Sequence, residues 1–213
     1  MIGIVYYGIS NIQSIANGVV SAGGNVKIVT RPSEIKDCSA LILPGVGAFP
    51  RAMENLTKLK LIEPIVESVK EGIPIMGICL GMHLLAECSE EFGSTKGLGL
   101  IEGNVIKIPK YKANRLPHMG WNEIKKTDKD DNLLLTDVPD GSCFYFVHSY
   151  MLKTKQDYLT STTVHGINIP ASLQTKNIFA TQFHPEKSQS HGLQILKNFV
   201  NISKKTENGQ INA

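Results

Sequence analysis

Of the four cysteines in this chain, one stands in a setting that could make it a nucleophile. Cys79 lies within Gly77-Ile78-Cys79-Leu80-Gly81, directly after the apolar run 73–78 and before a helix-competent run at 82–87. This is the form of a nucleophile elbow with sulfur in place of a hydroxyl. Glycines two before and two after the nucleophile are what such a turn demands, because neighbouring backbone crowds it. The geometry would push the sulfur out at the C-terminal edge of a sheet, at the start of a helix whose partial positive charge favours a thiolate. The plain structural alternative is a buried cysteine on a glycine-rich turn.

A cysteine nucleophile needs a base, and the base needs a group to orient it. Phe183-His184-Pro185-Glu186 offers both. An apolar strand at 178–182 runs into His184, and Glu186, held by a stiffening proline, can fold back onto one ring nitrogen so that the other faces the thiol. A packed loop histidine is the ordinary alternative. His83, His118, His148, His165 and His191 lack an acidic residue two positions on, and none of them closes an apolar strand in this way. Pro44-Gly45-Val46-Gly47 follows the apolar run 40–43. Its glycines could turn the N–H groups of Val46 and Gly47 toward a tetrahedral oxyanion, with the N–H of Leu80 as a further donor. Its structural alternative is a tight turn between strand and helix.

These segments need a scaffold, and the first half of the chain supplies the pattern of a parallel sheet covered by helices. Strands are expected at 2–5, 26–29, 40–43 and 73–78, with helices at 11–22 and from 48 onward. Within the latter, Ile62, Ile65, Val66 and Val69 form one apolar stripe, and Gly72 stops the helix. Between 98 and 182 the pattern shifts to short β-like runs at 105–108, 144–147, 158–164, 167–173 and 178–182, read as a mainly antiparallel extension of the sheet. A closing helix is expected at 192–202. The fold class is therefore α/β, a mostly parallel central sheet flanked by helices with an antiparallel β extension, forming one domain over 1–203 with a frayed tail at 204–213.

Composition excludes several functions. The formal net charge of +3 comes from 22 Lys plus Arg against 19 Asp plus Glu, with no basic run beyond Lys204-Lys205, so nucleic-acid binding is not indicated. No apolar run approaches the ~20 residues that span a bilayer, and the first residues lack a basic n-region, so a cytoplasmic location is expected. Cys38, Cys88 and Cys143 read as buried thiols, and without a C-x-x-C pair neither a zinc site nor a disulfide framework is suggested.

The segments P-G-V-G at 44–47, G-I-C-L-G-M at 77–82 and Q-F-H-P-E at 182–186 resemble the class I glutamine amidotransferase family, whose fold is flavodoxin-like. The resemblance implies Cys79 as nucleophile, His184 as general base and acid, Glu186 as its orienter, and Gly45, Gly81, His83, Ser149 and Tyr150 at the glutamine. No cofactor or metal is implied. Within the family, Gly97-Leu-Gly-Leu-Ile101, Pro117-His-Met-Gly-Trp-Asn122, Phe146-Val-His-Ser-Tyr150 and His184-Pro-Glu-Lys-Ser188 resemble the glutaminase subunits of imidazole glycerol phosphate synthases, at the length of a stand-alone subunit. Such a subunit pairs with a (β/α)₈ cyclase and sends ammonia through the barrel to a phosphoribulosyl-formimino carboxamide nucleotide. Asn11, Met119, Trp121, Asn122 and Lys187 would then face the partner. For Trp121 a core position is the alternative.

The chain departs from the family pattern at three places. D-Y-G-x-G-N becomes Tyr6-Tyr-Gly-Ile-Ser-Asn11, with Tyr6 for Asp and Ser10 for Gly, and G-M-Q becomes Gly81-Met82-His83. These departures leave open a second reading, a paralogue that feeds ammonia to an enzyme making acetamidino sugars for surface polysaccharide or flagellin. A non-catalytic binding protein on the same fold and a cysteine protease on a related one are further alternatives. The protease gives no role to 117–122 or to Lys187-Ser188.

Overall fold

Apolar runs of four to six residues are too short for helices and too uniformly apolar for a strand with one wet face. They pair side by side with both faces covered. A computed structural model describes residues 1–8, 10–111, 113, 115–129 and 131–207. Its first half runs β1 (Ile2–Val5), α1 (Ile12–Ser21), β2 (Val26–Val29), β3 (Ala40–Gly45), α2 (Phe49–Lys58), α3 (Ile62–Lys70) and β4 (Ile75–Cys79). A short helix, α4 (Leu80–Leu84), follows, then β5 (Ala86–Ser89), β6 (Thr95–Lys96), β7 (Ile101–Lys107), β8 (His118–Glu123) and β9 (Lys125–Lys126). The chain ends through β10 (Cys143–His148), β11 (Tyr150–Thr154), β12 (Leu159–Val164), β13 (Asn168–Thr175), β14 (Ile178–Thr181) and α5 (Gln189–Glu207).

The main sheet has eight strands in the order β2-β1-β3-β4-β14-β13-β12-β9. The first five are parallel, and β13, β12 and β9 extend them in antiparallel fashion. Alternate residues of one strand serve opposite cores, as the two-residue period requires. Leu41 and Leu43 pack with Phe49, Leu56 and Ile65 of α2 and α3, whereas Ala40 and Ile42 pack with Ile15, Val19, Leu196 and Phe199 of α1 and α5. Strand β14 lies directly against β4, Ile178 opposite Ile75 and Thr181 opposite Ile78, which sets the turn after Thr181 beside the turn after Cys79.

The fold class agrees with the sequence pattern, and several details differ; the helix expected from 48 onward, for one, is broken into α2 and α3. The β-rich half does not all join the main sheet. Strands β8 and β10 form a separate hairpin-like pair, and β11, β7, β5 and β6 form a four-stranded sheet of their own. The helix expected through residue 87 ends at Leu84, because residues from Ala86 on pair with β7 and β6 instead. The closing helix is longer than 192–202. It runs Gln189–Glu207, because Ile195, Leu196, Phe199, Val200, Ile202 and Ser203 bury a continuous face on the sheet. The remainder of the expected tail, 208–213, lies outside the described residues. Among the described residues, no helix is long and apolar enough to cross a membrane.

Candidate active site

The elbow is built as its glycines require. Cys79 ends β4 with φ 54° and ψ −110°, a strained conformation for a residue with a side chain. A Cβ on Gly77 would approach the backbone of Gly81 to 2.8 Å, and one on Gly81 would overlap the carbonyl of Leu43. Neither glycine can therefore be replaced without moving the backbone packed around the turn. The following helix spans only five residues, so its partial charge contributes less to the sulfur than the sequence suggests.

His184 follows β14 and is buried. Its Nδ1–H donates to Glu186 Oε1 at 2.7 Å, leaving Nε2 buried with no hydrogen-bond partner. Burial alone would push this imidazole down. The Cys79 sulfur and the Glu186 carboxylate outweigh it and raise the group to about 10. Three hydrogen bonds to the backbone fix the turn. His184 N–H donates to the Tyr145 carbonyl at 2.9 Å, and Ser188 Oγ donates to the His184 carbonyl at 2.6 Å while accepting from Tyr145 N–H at 3.0 Å.

Cys79 and His184 open onto a cavity of about 430 Å³ lined by Val46, Gly47, Leu80, His83, Glu91, Pro117, Val147, His148, Ser149 and Tyr150. The three residues expected at the oxyanion all reach it, as do His83, Ser149 and Tyr150. Gly47 has φ +98°, which glycine alone adopts readily. Gly45 and Gly81, expected at the substrate, do not line the cavity. Gly45 sits in the β3–β4 ladder opposite Cys79 with the Tyr7 hydroxyl where a Cβ would be, and Gly81 is pressed on Leu43. Both are glycine because neighbouring atoms leave no room for a side chain there.

His148 is a second histidine in the wall, but neither of its nitrogens is free to act as a base. Nδ1–H donates to the Tyr150 carbonyl at 2.8 Å, so Nε2 accepts from His118 Nδ1 at 2.9 Å. His118 in turn accepts at Nε2 from the Asn122 amide at 3.0 Å and stacks between Phe146 and His165. Burial pushes His148 down to about 3 and His118 to about 4, which keeps the pair neutral.

The residues expected to face a partner divide. Along β8, Met119 and Trp121 are 62% and 51% exposed, which excludes a core role for the tryptophan. Tyr145 lies against Trp121 edge-on at 6.2 Å, and the Lys187 ammonium sits 5.7 Å above the same Tyr145 ring. Asn122 points the other way. Its amide is committed to His118 and to the Val164 carbonyl, so it braces the hairpin from within. Asn11 is exposed and caps α1 through Ser14 N–H.

Sequence reasoning missed several residues here. Among the described residues Glu91 is the one carboxylate lining the cavity, and its Oε2 also accepts from Phe49 N–H at 2.8 Å. Nothing in Glu90-Glu91 marks it, since the pair reads as a polar turn. Tyr7 is buried and donates to the Pro44 carbonyl at 2.6 Å, tying the end of β1 to the oxyanion turn. Burial, and then the nearby Cys79, raise its hydroxyl above the usual range. The Tyr-Gly pair of the first motif is the signal that could have found it.

The glutamine amidotransferase class-I family matches residues 4–202. The imidazole glycerol phosphate synthase subunit HisH of Caldanaerobacter subterraneus subsp. tengcongensis is 45% identical over 205 residues, covering 96% of this chain and 99% of that protein. The protein of the same name from Archaeoglobus fulgidus is 43% identical, covering 96% and 100%. Among solved structures, PurLQS from Thermotoga maritima superposes with a TM-score of 0.73 at 17% identity, covering 94% of this chain and 97% of that one. A putative GMP synthase protein from Thermoplasma acidophilum superposes at 0.71 with 20% identity, covering 99% and 97%. At such identities the structures speak for the fold alone, while the family match and the relatives above 40% go further: the chain belongs to the class-I glutamine amidotransferases, on the branch of the imidazole glycerol phosphate synthase HisH subunits.

Proposed function

We propose that this chain hydrolyses glutamine on Cys79 and supplies the ammonia to a separate synthase subunit. The observation that carries the reading is the buried Glu186–His184 pair whose free Nε2 shares a cavity with Cys79. Near neutrality the proton shared by Cys79 and His184 rests on the raised imidazole, and the thiolate so formed attacks the carboxamide carbon. The N–H groups of Leu80 and of the Val46–Gly47 turn hold the oxyanion, and His184 returns the proton to the departing ammonia. Water, deprotonated by the same imidazole, then attacks the thioester and releases glutamate. Glu91 is suited to the α-ammonium of glutamine as the one acidic side chain lining the cavity, and His83, Ser149 and Tyr150 complete the contacts. The volume fits the usual range of small-ligand sites, ~300–1,000 Å³.

The partner we infer is a (β/α)₈-barrel cyclase acting on a phosphoribulosyl-formimino carboxamide nucleotide, in a cytoplasmic heterodimer. What supports this is the name shared by the relatives and the exposed Met119, Trp121 and Lys187 beside the site. The same relatives weigh against the sugar-amidinating alternative. Cys79→Ser is expected to abolish glutamine-dependent synthesis in the complex while added ammonium still supports it. Both substrates are assayed with the cognate cyclase, and glutamine hydrolysis persisting in Cys79→Ser would overturn the mechanism.

A further inference from the structure

Besides His184 and the nearby Tyr7 hydroxyl, which is committed to the Pro44 carbonyl, the Cys79 sulfur has two polar neighbours of opposite character. The Val147 carbonyl lies 3.8 Å away and accepts the thiol proton. The carboxamide nitrogen of Gln182 lies 3.9 Å away and directs an N–H at the same sulfur. A carbonyl favours S–H and repels S⁻, whereas an N–H donor favours S⁻. When the proton moves from Sγ to His184 Nε2, the negative charge left on sulfur faces Val147 as a penalty and Gln182 as the compensating group. The five-residue elbow helix offers little else of positive character.

Gln182 can play this part only if its amide is held one way round. It is wholly buried, so water does not fix it. Its Oε1 instead takes a hydrogen bond from Nε2 of His83 at 2.7 Å. An amide oxygen only accepts, so the imidazole must donate through Nε2. Burial pushes His83 down to about 4, and the ring therefore carries a single proton near neutrality, the one that Gln182 receives. With that nitrogen as donor, turning the amide over would set N–H against N–H. His83 and Gln182 thus fix each other's orientation, the amide oxygen holding the imidazole as an Nε2 donor and the imidazole holding the amide nitrogen toward the sulfur, and His83 stands where the family pattern has glutamine.

We propose that Gln182 is a catalytic residue that holds the Cys79 thiolate through its carboxamide N–H, and that His83 is the positioning residue that orients it. The inference rests on the reading of Cys79 as the nucleophile. Gln182 does not line the cavity, so its effect belongs to the sulfur and not to substrate binding.

The test is the pH dependence of Cys79 alkylation by iodoacetamide in the full-length chain, resolved from Cys38, Cys88 and Cys143 by peptide mass mapping. Steady-state glutaminase kinetics in complex with the cyclase run beside it. Wild-type alkylation slowed by glutamine, together with the inactivity of Cys79→Ser, tests the nucleophile reading alone. The variants test the inference by their difference from wild type. Gln182→Leu is expected to raise the alkylation midpoint by about one pH unit and to lower kcat about tenfold, with KM changed less than about threefold. His83→Leu should move the midpoint the same way by a smaller amount, and His83→Gln, which can still donate, should restore it. If Leu at 182 prevents folding, Gln182→Met and the His83 pair carry the same comparison. A midpoint in Gln182→Leu that stays put or falls would overturn the thiolate-holding role. A His83→Leu chain indistinguishable from wild type would overturn the positioning role.

Discussion

Glu186 gives one oxygen to His184 Nδ1 at 2.7 Å, and its other oxygen is buried with no hydrogen-bond partner. Such a group is costly unless its charge is used. In the proposed mechanism its charge steadies the imidazolium that carries the Cys79 proton. Glu186→Gln keeps an acceptor for Nδ1–H and loses the charge. It is expected to lower kcat by about 10–10²-fold, against about 10³-fold or more for His184→Ala, which removes the base itself. Pre-steady-state thioester formation measures the order directly, and a His184→Ala enzyme close to wild-type kcat would mean another base is present. Cys79, His184 and Glu186, the proposed nucleophile, base and orienter, can be picked out of the sequence as candidates because each depends on its immediate neighbours, glycines around one and a two-residue fold-back around the others. Glu91, Val147 and Gln182 cannot, because their importance comes from segments distant in sequence that meet only in the folded chain. Gln182 even stands inside one of the family motifs, yet its contact with sulfur depends on β14 lying next to β4.

Strands β8 and β10 connect the exposed aromatic face to the reacting groups. Met119 and Trp121 point outward, and Tyr145 and Val147 give backbone carbonyls to His184 and to the Cys79 thiol. Ser188 locks β10 to the histidine turn from both sides, accepting from Tyr145 N–H and donating to the His184 carbonyl. Ser188→Ala leaves the buried His184 carbonyl and the part-buried Tyr145 N–H without this partner and is expected to cost about 1–3 kcal/mol in urea unfolding. It should also reduce kcat with glutamine KM nearly unchanged, since Ser188 does not line the cavity. Wild-type stability in this variant would show that the lock is dispensable. Strand β8 escapes a reading by alternation for a physical reason. Two of its three outward residues, Met119 and Trp121, are apolar, and its inward residues His118 and Asn122 form a polar network, the reverse of the usual pattern. The parallel strands β1 to β4, by contrast, are short apolar runs between turn residues, and their positions can be read within a residue or two.

At the scale of the whole molecule, the histidines bound stability on both sides of neutrality. His83, His118 and His148 are pushed by burial to about 4, about 4 and about 3. Unfolded imidazoles titrate near ~6.5, so these groups leave stability intact above that pH and drain it as pH falls toward their folded values. His184 has the opposite sign. Raised to about 10, it contributes fully below ~6.5 and loses its contribution as pH rises through about 10. Melting temperature measured across this span should therefore peak near neutrality, and a level curve from pH ~6.5 down to ~4 would contradict the buried neutral histidines. The adjacency of β4 and β14 has a further consequence for the birth of the protein. A ribosome completes β4, which carries Cys79, the proposed nucleophile, long before it makes β14, which leads to His184, the proposed base. A nascent chain can already hold the β2-β1-β3-β4 half of the sheet while its cysteine has no partner for proton transfer. Glutamine is safe from such a chain until β14 has been synthesised and has slotted in beside β4.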